Sequence, residues 1–349
     1  MAYPNVLEDV QTCIDLGVPS RVPIFMLGEE FDVEQYGIDY REYVESPEHM
    51  IECWVQAVEM FDYDWILLHP DDYIEFEPLG VKTQADAKTP PAPVEQIEAD
   101  IDVLKSLEIP DAASAGRMPA HLEALQGIRE RMGDSVVLAG RVAAPFSSVA
   151  LLYGVQEALM LMLTDPALFN AALDFCTDLM IYWGQQQLDA GADALWVGDC
   201  VACSGFISAG DYEMYAYPGA TKLCSAIQQA GGWAYYHAGE HSMEHLRLEA
   251  ATGCDILNVG EGIDLAEVKA ELGDTVCLSG NLNPIEIFEM KELDDVRAAT
   301  RRVMEAGKPG GAYIFNSGEG VPRPTDAETI AACMETARSM APYEEADAQ

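Results

Sequence analysis

The chain alternates short apolar runs with longer amphipathic stretches, and nearly every apolar run ends on a residue able to do chemistry. The run 22–26 leads into Glu29 and Glu30. The run 65–68 leads into His69, Asp71 and Asp72, 136–140 into Arg141, and 194–198 into Asp199 and Cys200. Further on, 233–236 leads into His237, 256–259 into Glu261, 276–280 into Asn281 and Asn283, and 312–315 into Asn316 and Glu319. Short apolar runs bounded by turn signals predict buried strands. If eight such strands close into a parallel ring, their carboxyl ends meet at one mouth, where barrel enzymes build their sites.

Helical periodicity fills the gaps. It is read over 47–61, 93–107, 120–132, 166–190, 208–229, 242–251, 265–272, 293–306 and 325–341. Gly133, Gly191, Gly231, Gly253, Gly273 and Gly307 follow as terminators. Ser242 reads as an N-cap, and Thr325 with Glu328 as a capping box. Strand then helix, repeated, means βαβ units on a parallel sheet. The expected architecture is a single α/β domain over 1–349, a (β/α)8 TIM barrel with an N-terminal extension. The segment 80–93 breaks the rhythm with Lys, Thr, Ala and Pro and reads as a lid loop. The polar tail 343–349 reads as frayed.

Composition narrows the partners. The 349 residues carry 19 Lys plus Arg against 60 Asp plus Glu, a formal net charge of −41. Such a surface repels nucleic acid and anionic lipid, so neither is expected as a partner. The charge itself names no substrate, since a solvated acidic exterior explains it. Nine cysteines are scattered, with Cys200 and Cys203 the one close pair. This usage, with a short polar N-terminus in place of a secretory segment, places the chain in a reducing cytoplasm with free thiols. The oily stretch 149–163 contains Gln156 and Glu157 and reads as a buried helix, not a membrane span.

The candidate chemistry concentrates in the C-terminal half. Asp199, His237 and Glu319 are the catalytic candidates. Asp199, Asn281, Asn283, Asn316 and Glu30 are the cofactor-binding candidates. Any one of them alone is explained as a loop residue or helix cap. The barrel topology would bring all of them to the same mouth. His237 and Glu319 are also candidate metal ligands if zinc is present. Cys200-Val-Ala-Cys203 lacks a second CxxC to complete a four-thiol site, so a tight loop is the favoured reading; redox or metal chemistry with His237 is the other. Two H-x-x-E-H matches, at 237–241 and 241–245, need both histidines on one helix, which the first does not provide. Tyr212, Tyr215 and Tyr217 read as packing before stacking. No phosphate-binding glycine fingerprint follows the first strand.

The runs YYHAGE (235–240), GCDILNVGEGIDLAEVKAELGD (253–274), LSGNLNPIEIF (278–288) and FNSGEGVPRPTDAETI (315–330) resemble the uroporphyrinogen decarboxylase superfamily. Within it the chain is more similar to the corrinoid-dependent methyltransferases, and DCVACSGFIS (199–208) resembles their matching loop. The likeness covers roughly 190–340 well and the N-terminal half loosely. It implies methyl transfer between a cobalt-corrinoid on a separate protein and tetrahydrofolate, in an anaerobic demethylation pathway. The corrinoid protein would dock at the barrel mouth, and the chain itself carries no cobalt-ligating Asp-x-His-x-x-Gly run. The alternative is a donor-side enzyme that uses zinc to demethylate a methyl ether or methylated amine. Thiol-methylating members bind zinc through His-x-Cys and a Cys before the GVP segment. Here those positions hold Gly239 and Glu319. True decarboxylases carry an Arg-rich N-terminal stretch, where this chain has Glu29 and Glu30, so decarboxylation of a tetrapyrrole ranks below methyl transfer. A homodimer is left open.

Overall fold

The computed structural model describes residues 3 and 5–343. Among the described residues nine strands form: β1 Trp65–Leu67, β2 Lys82–Gln84, β3 Ala92–Glu95, β4 Val137–Ala143, β5 Ala194–Gly198, β6 Trp233–His237, β7 Ile256–Val259, β8 Cys277–Leu282 and β9 Tyr313–Ser317. Among the described residues, seven of them make one sheet in the order β1-β4-β5-β6-β7-β8-β9. Every pairing in it is parallel. Its strands are buried throughout, apart from partly exposed Trp233 at the start of β6. Burial on both faces is why these runs are continuously apolar.

The extended segment 22–27 lies between the two ends of this sheet. Pro23 and Phe25 exchange backbone hydrogen bonds with Phe315, at 3.0 and 3.1 Å, while the Ile24 carbonyl accepts from the Asp64 N–H at 2.9 Å. Inside the curl, Phe25 stacks on Trp65 at 5.3 Å, and both meet Tyr235 edge-on at 6.4 and 5.8 Å. Residues from segment 22–27, from one end of the sheet and from its middle thus share one interior layer.

Helices cover the outside. Pro47–Phe61 forms over the predicted range, with Ser46 accepting from the His49 N–H and Pro47 in the first turn. Leu265–Leu272 likewise matches, and the other long helices agree with their predicted ranges to within a residue or two at most ends.

Four local expectations fail. The lid loop is a two-stranded antiparallel hairpin, β2 with β3. The predicted helix over 93–107 is strand at its start, and helix only over Ile101–Ser106, where Asp100 caps it. The stretch 149–163 is not one helix: Pro145–Tyr153 and Val155–Thr164 meet at Gly154 with a bend of 111°. The capping box does not form, because Thr325 donates to the Pro322 carbonyl and Asp326 takes the cap position. No single helix among the described residues is long and apolar enough to cross a membrane. All nine cysteines are free thiols. Tyr343, where the frayed tail was expected to begin, donates its hydroxyl to the Lys308 carbonyl at 2.9 Å; 344–349 lie outside the described residues.

Candidate active site

The carboxyl ends of the strands surround a cavity of about 250 Å³. One wall comes from segment 22–29, β1 and β4. Glu29 caps helix Glu30–Tyr36 at φ 38° and ψ −110°, a backbone conformation that costs a residue with a side chain. Its carboxylate meets His69 Nδ1 at 3.2 Å, and Asp72 meets His69 Nε2 at 3.2 Å. Arg141 joins the series, with one nitrogen 3.1 Å from Asp72 and the other 2.9 and 3.1 Å from the two Glu75 oxygens. Burial opposes charge on His69, but the flanking carboxylates outweigh it and raise the imidazole to about 10. His69 is therefore an imidazolium at neutral pH. Burial would raise Asp72, yet His69 and Arg141 hold it well below the ordinary range. Glu75 is fully buried, and burial raises it to about 7 despite Arg141.

The facing wall comes from β5, β6 and β9. His237 ends β6 with its side chain 2% exposed, and its Nε2 lies 3.3 Å from Glu319 Oε1. Burial alone would raise Glu319; the charge and hydrogen bond of His237 outweigh it and lower the carboxyl. Cys200 follows β5, and its Sγ lies within 4.8 Å of ligand atoms from both His237 and Glu319. Cys200 is exposed and lines the cavity. His237 Nδ1 is buried without a hydrogen-bond partner.

The loops that carry this wall are tied together. The Asp199 N–H donates to the His237 carbonyl at 2.7 Å. The Glu240 carboxylate accepts from Ser204 N–H and hydroxyl, at 2.6 and 2.7 Å, and from the N–H groups of His241 and Ser242. Gly239 turns at φ +62°, and a Cβ placed there would lie 2.0 Å from Glu319 Oε1. Trp196 stands between the walls, its ring 5.1 Å from His69 and 4.9 Å from His237.

The sequence candidates divide sharply. His237 and Glu319 come together in the cavity. Asp199 does not line it: its buried carboxylate accepts from the Ser147 N–H and hydroxyl and, at 2.5 Å, from the Tyr236 hydroxyl. Burial raises Asp199 to about 6 against those hydrogen bonds. Asn281 donates to the carbonyls of Gly260 and Ile263, at 3.1 and 3.0 Å. Asn283 caps helix Pro284–Glu289, accepting from the N–H groups of Ile285 and Glu286. Asn316 is fully buried and donates to the Tyr235 hydroxyl at 2.7 Å. Glu30 is half-buried, and its neighbour Glu29 is the one that lines the cavity. The five cofactor-binding candidates therefore do not form one surface on the cavity. The H-x-x-E-H matches share no helix, because Met243–Ala250 begins after His241. Tyr212 packs inside, hydroxyl to hydroxyl with Tyr236 at 2.9 Å.

The sequence marks Glu29, His69, Asp72 and Arg141 as strand-end residues without assigning them to the site, and offers Cys200 only in the less favoured reading of metal or redox chemistry with His237. Trp196 carried no signal at all, since one aromatic residue in a buried strand looks like core.

A parallel α/β scaffold with titratable groups gathered in a cavity at its strand ends is the arrangement of an enzyme. The uroporphyrinogen decarboxylase (URO-D) model matches residues 12–340, and the chain belongs to that family. It is 28% identical to the uroporphyrinogen decarboxylase of Myxococcus xanthus over 307 residues, covering 86% of this chain and 85% of the relative. It is 28% identical to that of a Nostoc species over 342 residues, covering 93% and 94%. In fold it is similar to a methyltransferase from Methanosarcina mazei, with TM-score 0.86 and 20% identity over 96% of this chain and 98% of that one. A B12-independent methionine synthase from a Shewanella species is more distant, with TM-score 0.55, 9% identity and coverage of 84% and 88%.

Proposed function

We propose that the chain is a methyltransferase that moves a methyl group between a small molecule and the cobalt of a corrinoid carried on a separate protein. The scaffold in this reading is a complete (β/α)8 barrel, with segment 22–27 as the eighth staves' position between β9 and β1. The observation that carries the reading is the pairing of His237 with Glu319 on a small cavity at the strand ends.

A zinc ion suits the donor set: ligand atoms of His237 and Glu319 lie within 4.8 Å of one another, and an ion between Nε2 and Oε1 would replace the 3.3 Å contact they make with each other. His237 and Glu319 would hold it. When bound, it would supply a Lewis acid that polarises the atom carrying the methyl group. The chain does the rest. Leu27, Leu151 and Val201 give the cavity apolar lining that keeps water from the reacting atoms. The polar wall orients the substrate through the outward oxygens of Glu29 and Asp72.

Decarboxylation, the activity in the relatives' names, fits less well. Both ring nitrogens of His69 and both terminal nitrogens of Arg141 already face carboxylates, so neither cation is free to hold a substrate's carboxylates. A macrocycle with eight carboxylates also asks for more room than about 250 Å³. Tetrahydrofolate gains little from this cavity either, because Asp199, Asn281 and Asn283 spend their polar atoms elsewhere. The geometry thus favours a methyl ether, thioether or amine as the small molecule. For the corrinoid protein, the exposed Phe206 and Met214 after β5 and Ile285 and Phe288 after β8 offer an apolar rim.

The deciding assay mixes the zinc-loaded protein with cob(I)alamin and, separately, methyl ethers, methyl thioethers and methylated amines; methylcobalamin with tetrahydrofolate is run alongside. Methylcobalamin should form from one donor class and fall at least tenfold in Glu319→Ala. Carbon dioxide release from uroporphyrinogen, with no methyl transfer in any mixture, would overturn the reading.

A further inference from the structure

We propose that Cys200 supplies a sulfur ligand to a mixed sulfur, nitrogen and oxygen metal site with His237 and Glu319, entering from the end of β5. The proposal rests on the metal in the reading above and goes beyond it by adding a donor from a different strand.

Geometry comes first. The three donor atoms lie within 4.8 Å of one another. Tetrahedral zinc, with bonds of about 2.0–2.3 Å, spaces its donors about 3.3–3.8 Å apart, so modest side-chain rotation closes the set. Cys200 is held where it is needed. The Asp199 N–H is anchored on the His237 carbonyl, and the Val201 N–H donates to the Ser147 hydroxyl at 3.1 Å. Both neighbours of Cys200 are thus pinned, and the thiol faces inward.

Sterics come next. A Cβ at 239 would lie 2.0 Å from Glu319 Oε1, so a side chain there would turn Glu319 away from His237, on a backbone at φ +62° that side chains rarely adopt. Gly239 leaves Glu319 its place beside the histidine, and Cys200 offers a thiol from the other side. The remaining cysteines do not compete. Seven are buried in the core, and Cys203, though only three residues away, does not line the cavity. The CxxC is not a chelating pair.

Chemistry agrees. A divalent ion bound here would take the place of the thiol proton: the S–H bond would break, the sulfur's electron pair would go to the ion, and one proton would leave to solvent. One thiolate, one imidazole and one carboxylate suit zinc or cobalt(II) rather than magnesium or calcium.

The test titrates the full chain, stripped of metal, with cobalt(II) and follows its absorption. Wild type should bind one equivalent with a near-ultraviolet thiolate-to-cobalt band. Cys200→Ser should lose that band and bind at least tenfold more weakly, while Cys203→Ser should behave as wild type. A band that persists in Cys200→Ser, bound cobalt without a band in wild type, or no binding at all would each overturn the proposal. If Cys200→Ser fails to fold, alkylation of wild type decides. Zinc should slow iodoacetamide attack on Cys200 at least tenfold, read by peptide mass, and an unchanged rate is the contrary result. The cobalt band is independent of catalysis. A band with no methyl transfer to cob(I)alamin sinks the proposed function alone; methyl transfer without a band sinks this inference alone.

Discussion

The two walls of the cavity draw on overlapping residue types and use them in opposite ways. On the wall from segment 22–29, β1 and β4, both cations face carboxylates: Glu29, His69, Asp72, Arg141 and Glu75 form one series, with only Arg141 Nε buried and unpartnered along it. On the wall from β5, β6 and β9, Cys200, His237 and Glu319 converge with donor atoms to spare. A closed series fixes shape and field. An open cluster can accept something from outside. Proximity to the cavity therefore does not by itself distinguish support from chemistry; the accounting of each polar atom does.

The largest effect should come from breaking the closed series. Arg141→Met leaves Glu75 buried beside no cation, and should cost about 3–5 kcal/mol in urea unfolding. A loss below about 1 kcal/mol would mean that the series is not what holds that wall. His237→Ala should cost less stability than Arg141→Met while slowing methyl transfer about 100-fold, or roughly 2.7 kcal/mol of barrier. Equal destabilisation by both variants would erase the contrast between the walls.

A pH series sharpens it further. The folded-state value of His69, about 10, lies above the ordinary 6.5. Its stabilisation is thus complete below about pH 6.5 and drains away as pH rises toward 10. Glu75, raised to about 7 from 4.5, acts in the same direction at lower pH, since its buried carboxyl favours the protonated form. The melting midpoint should fall between pH 7 and 10, and His69→Asn should flatten that fall. A midpoint that rises over this range would contradict the imidazolium assignment. The smallest effect is expected at Asn283. Its replacement by Ala removes a helix cap, costs about 1 kcal/mol and leaves methyl transfer unchanged. A tenfold loss of transfer would return Asn283 to the site.

The scaffold was largely legible in the chain because two-sided burial writes itself as uninterrupted apolar runs. Seven runs became strands, and the eighth, 22–26, sits extended between the sheet's ends. The hairpin was missed because β2 and β3 are exposed and hold Lys82, Thr83 and Pro93, residues that read as loop. The break at Gly154 was hidden by apolar residues on both sides. The site was legible only as strand ends. Which of those polar atoms are already committed depends on partners far away in sequence. Ser147 claims Asp199 across 52 residues and Glu29 claims His69 across 40, and no local pattern records such pairs. Asn283 shows the same limit: read as a cofactor ligand, it caps Pro284–Glu289, a helix absent from the predicted ranges.

Gly239 and Glu319 constrain one another. A side chain at 239 would meet the end of the Glu319 carboxylate, and the left-handed turn at φ +62° would be strained whatever the acid did. A change at 239 alone would therefore disturb the pairing of Glu319 with His237 without touching either residue.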